Sequence, residues 1–176
     1  MAMKKKVLVL LAAMLCLAVA SFLIMTASRM PDAGVAQRFL TSLYSLNEEA
    51  NYEAFVNASE SEVQNAIDKL MEPYSAILTS KALEQIVTNR LPTLAYEASL
   101  ASGKSFTVDK VEIKDLKAGS SPNAYSGTFN VVIRVDGAGD GAYVYQTGII
   151  NLAREGGLWK VDYVKLTGKS LQEQLN

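Results

Sequence analysis

Histidine is absent from the whole chain, and the one cysteine, Cys16, stands in an apolar leader. Those two facts remove Ser-His-Asp and Cys-His nucleophilic catalysis, imidazole proton relays and the ordinary zinc sites. What remains is the chemistry of carboxylates and phenols. Tyr44, Tyr52, Tyr125, Tyr143 and Tyr145 offer hydroxyls, while Asp109, Asp115 and Asp136 offer carboxylates. Tyr44, Tyr52, Arg90 and Tyr125 are the candidate polar groups of an interior pocket. Each tyrosine is more economically read as core filling whose hydroxyl reaches the rim, and Arg134 reads as a solvent-facing side chain in mid-strand. Gly137-x-Gly139-x-Gly141 joins two strands rather than opening a helix, so it reads as a hairpin turn and not a phosphate cradle. Asp136 and Asp140 flank it without the terminal bidentate glutamate of a calcium loop. The sequence predicts no cofactor, no metal and no catalytic residue.

The leader sets the address. Lys4, Lys5 and Lys6 precede an uncharged run from Val7 to Ser28. A spanning helix needs about 20 apolar residues, and the run supplies them. The lysines favour a cytoplasmic N-terminus with the rest of the chain across the membrane. Val7–Leu17 followed by Ala18-Val19-Ala20 also satisfies a cleavable signal peptide, with cleavage after Ala20. The apolar continuation Ser21–Met25 favours a retained single-pass anchor at residues 7–25 of the cell membrane, and secretion after cleavage is the alternative. Ala13-Met14-Leu15 before Cys16 lacks the small residue that lipoprotein processing wants there.

All 18 acidic residues follow residue 30, whereas four of the 17 basic ones (Lys4, Lys5, Lys6 and Arg29) precede it. Residues 31–176 therefore form one net-acidic domain outside the cytoplasm, which repels phosphate backbones and makes nucleic acid an unsuitable partner. Without cysteine it must rest on its core.

Apolar residues at Val35, Phe39, Leu43 and Leu46 predict a first helix, loosening at Asn47–Asn51 and resuming at Tyr52, Phe55 and Val56. Ser59-x-x-Glu62 predicts a capping box for a helix carrying Val63, Ala66, Ile67 and Leu70, which Pro73 ends or bends. Thr79 or Ser80 caps a third helix through Leu83, Ile86, Val87 and Leu91, with Thr93–Leu100 continuing after a kink at Pro92. From Gly103 the period becomes two. Phe106, Val108, Val111 and Ile113 alternate across a bulge at Asp109-Lys110. Tyr125–Val135 and Ala142–Arg154 follow, and Glu155-Gly156-Gly157 turns into Trp159, Val161 and Tyr163. The tail Lys169–Asn176 reads as polar and frayed. The class is α+β: about three helices packed on a curved antiparallel sheet of about four strands.

This order resembles the NTF2-like superfamily of cone-shaped α+β domains, over roughly residues 33–166. The resemblance lies in FLTSLYSLNEEANYEAF with its Asn51-Tyr52 step, in LTSKALEQIVTNR, and in REGGLWKVDYVKL, where a Gly-Gly turn precedes a tryptophan. It implies a scaffold or interaction role of the kind that tethered NTF2-like domains have in Gram-positive envelopes and in VirB8-like components of secretion and conjugation machines. It also admits enzymes. Ketosteroid isomerases of that superfamily use a carboxylate base with a tyrosine and a second carboxyl, and no residue here matches that constellation position by position. The expectation is thus a non-catalytic binding or assembly module, with a small-ligand carrier or a carboxylate–tyrosine enzyme as the rival. On the third long strand, Tyr143, Tyr145, Thr147 and Ile149 share one face, and Val144, Gln146, Gly148, Ile150 and Leu152 the other. Either suits the core at this level. Whichever lies outside carries enough apolar area to predict a homodimer or a protein docking site.

Overall fold

The computed structural model describes residues 31–46, 49–119, 121, 123–136 and 142–175. The expected anchor at residues 7–25 and the turn at residues 137–141 lie outside them. No helix among the described residues is long and apolar enough to cross a membrane.

Among the described residues, six α-helices and four strands make an α+β domain: α1 (Ala33–Tyr44), α2 (Glu49–Val56), α3 (Val63–Ser75), α4 (Ser80–Thr88), a 3-10 turn (Leu91–Thr93), α5 (Leu94–Ser102), β1 (Ser105–Ala118), β2 (Ala124–Asp136), β3 (Tyr143–Glu155), β4 (Leu158–Thr167) and α6 (Leu171–Leu175). The expectation of about three helices was too low, because the chain breaks where propensity alone does not show it. At Arg90 the backbone turns left-handed (φ 54°) ahead of Leu91-Pro92, which separates α4 from α5 outright where a kink was expected. The polar tail is likewise ordered rather than frayed. Leu171 is buried, and Ser170 and Glu173 form a reciprocal capping box: Glu173 accepts from the Ser170 N–H at 2.7 Å, and the Ser170 hydroxyl accepts from the Glu173 N–H at 3.2 Å.

Thr79 does cap α4, accepting from the Ala82 N–H at 3.2 Å. The box expected at Ser59 is only half formed. Glu62 accepts from the Ser59 N–H, but the Ser59 hydroxyl turns to the Glu62 carboxylate instead of an amide, and α3 starts at Val63 without a side-chain cap. Pro73 sits inside the last turn of α3 without ending it there.

The sheet is an antiparallel meander in the order β1-β2-β3-β4. A bulge falls between Val108 and Lys110 as the period slip predicts, and a second lies between Lys114 and Lys117, where Asp115 takes φ 53°. Bulges increase local twist and curl a long sheet. Gly156 and Gly157, both at positive φ (60° and 83°), make the two-residue turn between β3 and β4. On the inner face Phe129, Val131, Ile133, Val144, Ile150, Leu152, Val161 and Val164 bury themselves against Val35, Phe39, Leu40 and Leu43 of α1 and against Leu78 and Ile86. Gly148 is part of that fit. It pairs with Phe129, and a Cβ at this position would collide with the Phe129 ring and the Lys165 carbonyl. Among the described residues the buried core runs from Val35 to Leu171, and Asp32–Asn176 forms a compact unit by its own contacts.

On the β3–β4 side of the sheet, free backbone groups are tied down by residues 77–79 and by two glutamines, while β1 forms the other edge. Beyond β4, residues 77–79 add a short parallel segment: the Thr79 N–H donates to the Val161 carbonyl and the Val161 N–H to the Ile77 carbonyl, both at 2.9 Å. Next to it, Gln85 Nε2 donates to the Val164 carbonyl at 2.7 Å, and the Val164 N–H reaches Gln85 Oε1 at 3.4 Å. On β3, pairing with β4 begins only at Thr147. There Gln174 Nε2 donates to the Tyr145 carbonyl at 2.8 Å and its Oε1 accepts from the Tyr145 N–H at 3.0 Å. Each amide side chain thus occupies a residue's free donor and acceptor, which blunts an edge against strand addition.

Candidate interaction surface

The alternation of β3 is resolved: Val144, Gln146, Gly148, Ile150 and Leu152 point into the core, and Tyr143, Tyr145, Thr147 and Ile149 point outward. Tyr143, Tyr145 and Ile149 are 42%, 54% and 38% exposed. Their cross-strand partners on β2 are Arg134, Val132 and Thr128, and Ile149 meets Lys165 on β4. The result is an apolar and aromatic stripe through the middle of a sheet whose flanks are charged.

Those flanks are organised. On β1, Glu112 accepts from Lys110 at 2.6 Å and Lys114 at 3.0 Å. Hydrogen bonds from the two ammonium groups, reinforced by their charge, hold the Glu112 carboxyl down at about 2. The same partnership pushes the Lys110 ammonium up. Arg134 pairs with Asp136 at 3.2 Å, and the Thr107 hydroxyl donates to the same carboxylate at 3.1 Å, so Arg134 is the solvent-side residue its position suggested. Thr147 donates to the Thr167 carbonyl at 3.1 Å. Such exposed pairs contribute little stability. Their effect is to fix charges around the stripe.

The four candidate pocket groups do not converge. Tyr44 is fully buried in the core; among the described residues its hydroxyl has no partner, and burial pushes its ionisation above the ordinary value. Tyr125 packs edge-on against Trp159, 5.5 Å between ring centres. Arg90 ion-pairs with Glu97 at 2.6 Å, and Thr93 donates to the same carboxylate at 2.7 Å. Tyr52 stacks flat on Tyr96 at 4.7 Å. Burial first, and the Glu97 carboxylate second, push its phenol up, against the opposing pull of Arg90. The open volume beside this pair, about 400 Å³, is bounded by Leu46, Glu53, Val56 and Leu100. It is a cleft between α2 and α5 and includes none of Tyr44, Arg90 or Tyr125. The interior between the helices and the sheet is filled instead by Phe39, Tyr44, Tyr74 and the inner face of the sheet, with Phe39 and Tyr74 edge to face at 6.0 Å.

Residues the sequence reading passed over matter as much. Gln85, Gln146 and Gln174 carry the polar ties of the sheet, and buried Gln146 donates to the Lys169 carbonyl at 3.1 Å. The readable signal was Ser170-x-x-Glu173, a helix start that orders the segment holding Gln174.

The order that the NTF2-like resemblance implies, helices first and an antiparallel four-strand meander packed on them, is the order observed. No protein-family model matches the chain, and no curated protein matches it. Among solved structures, the intermembrane space region of the chloroplast protein ARC6 is 13% identical, covering 80% of this chain and 99% of that one, with a TM-score of 0.41. An NTF2-like protein involved in plasmid conjugation is 14% identical over 77% of this chain, with a TM-score of 0.38. This chain spans about half of that second protein, 47% of its length. Both overlaps are loose.

Proposed function

We propose that this chain is a non-catalytic assembly module of the cell envelope. The membrane segment at residues 7–25 holds the domain outside the cytoplasm, and the outer sheet face engages a protein partner or a second copy. The observation that carries the reading is the exposed stripe Tyr143, Tyr145 and Ile149, set on a strand whose opposite face is buried in the core. Large aromatic residues on an ordered strand make low-entropy anchors for an interface. The backbone ties on β4 and at Tyr145 favour contact across the face over strand addition on that side of the sheet.

The test is sedimentation of residues 31–176 together with capture of partners from the native membrane. Tyr145→Asp and Ile149→Asp place charges at the centre of the stripe and are expected to abolish both self-association and partner capture without changing the thermal midpoint. A strict monomer at tens of micromolar whose captured partners are unaffected by either substitution refutes the reading.

A second reading rests on the cleft of about 400 Å³ beside the Tyr52–Tyr96 stack, which has the size and apolar lining of a small-ligand site. A sub-micromolar ligand lost on Tyr52→Ala, with sheet-face variants unaffected, would favour it.

A further inference from the structure

A different surface lies on the helical layer. Between α3 and α4 runs an open groove of about 500 Å³, floored by Ile67, Met71, Leu83 and Val87. Val87 is more than a third exposed, as is Val63 at the start of α3. The walls carry Asp68, Glu72 and Glu84, and no lysine or arginine lines the groove. Among the described residues no ion pair reaches any of these three carboxylates, and the one side-chain hydrogen bond they receive comes from Gln64 to Asp68 at 2.9 Å. An apolar floor between uncompensated acids is complementary to an apolar stripe flanked by cations.

We infer that this groove is a docking site for a basic amphipathic helix of a partner protein. Gln64 to Ser75 spans roughly 16 Å of helix, enough to seat about three turns presenting anchors at i, i+3 or i+4 and i+7. Ile67 and Met71 stand one turn apart on α3, so their ridge can accept the side chains of a third helix. The occupant is foreign to the domain. Arg38 on α1, Lys69 on α3 and Lys81 on α4 are the sole bases of their helices, so a second copy offers no basic-flanked helix. The leader has lysines at one end and no polar face along the run that follows. The inference does not depend on the sheet-face interface.

The test follows amide shifts of residues 31–176 while titrating an amphipathic Leu/Lys peptide of about 15 residues, with a Leu/Glu peptide of the same pattern as counterpart. Saturable shifts at Ile67, Met71, Leu83 and Val87, weakening steeply with salt, are expected with the Lys peptide alone. The exposed pair Glu72→Lys and Glu84→Lys should weaken binding roughly tenfold by reversing the local charge. If that variant fails to fold, the salt dependence and the Leu/Glu peptide on the parent domain decide. Shifts mapping to the sheet face, equal binding of the Leu/Glu peptide, salt-independent binding or an affinity unchanged by the reversal each overturn the inference. So would concentration-dependent shifts at the groove without peptide, which would make the occupant a second copy.

Discussion

Two glutamines make the same pair of bonds to backbone in different surroundings, and the contrast predicts their energies. Gln85 ties the Val164 carbonyl and N–H at a residue only 1% exposed. Both groups point away from β3, so in Gln85→Leu the carbonyl loses a 2.7 Å donor with little access for water. Stranding a buried acceptor costs about 1–3 kcal/mol, beyond the roughly 1 kcal/mol net worth of an ordinary bond. The N–H contact, at 3.4 Å, is long and adds little. The expected loss is about 2–3 kcal/mol, or roughly 4–12 °C in midpoint for a domain of this size. Gln174→Leu removes bonds of 2.8 and 3.0 Å at Tyr145, but Tyr145 is 54% exposed. Water replaces the lost partner there, so the expected cost is about 1 kcal/mol or less.

Thermal melts of both variants read the difference, and amide hydrogen exchange at Val164 reads its origin. Gln85→Leu should release that amide well before the rest of β4. If Gln174→Leu proves as costly as Gln85→Leu, or if Gln85→Leu loses less than about 0.5 kcal/mol, water access is not what separates the two sites and the argument fails.

Two further outcomes follow from buried and exposed groups. Tyr44→Phe removes a buried hydroxyl with no partner among the described residues and should leave stability unchanged or raise it by up to about 1 kcal/mol; a drop in the melting midpoint would mean the hydroxyl is hydrogen-bonded after all. The Glu112 carboxyl titrates at about 2 in the folded domain, below its unfolded value, so its contribution is present above roughly pH 4.5 and lost as pH falls from there toward 2. The melting difference between the parent and Glu112→Gln should therefore shrink over that window, and a difference that stays constant through it would dissociate the lysine pairs from stability.

The strands were legible because their residues repeat a local rule. The alternation from Phe106 onward, the slip at Asp109-Lys110 and the Gly156-Gly157 turn each depend on neighbours a few positions away, and each appears in the structure. Which face of β3 lies outside was not legible. Ile149 and Ile150 are equally apolar, and the choice is made by the core on Ile150's side, where Ile150 joins the cluster that holds Phe39 and Phe129 sits against Gly148. The second bulge, near Asp115, was invisible for a similar reason, since nothing in Lys114–Lys117 demands an extra residue until β2 is present as partner. The pocket grouping failed because tyrosines look alike in sequence. Packing sends Tyr44 to the core, Tyr52 onto Tyr96 and Tyr125 onto Trp159.

The polar ties explain how a domain without disulfides presents a long sheet safely. An edge with free N–H and C=O groups pairs with any strand that arrives, whatever its sequence. Here Gln85, Gln174 and residues 77–79 satisfy backbone groups on β3 and β4, so generic pairing there meets no open ladder. Besides the β1 edge, what stays exposed is side-chain surface, the Tyr143–Ile149 stripe on one side and the acid-walled groove on the other. Recognition through side chains discriminates between partners where backbone pairing does not. Opening one of these glutamine locks should therefore trade selective association for strand-mediated aggregation. Gln174→Leu makes that visible: little change in midpoint, but slow growth of β-rich oligomers at high concentration, which the parent domain resists. If both domains stay equally free of such oligomers, covering the edge is not what Gln174 does.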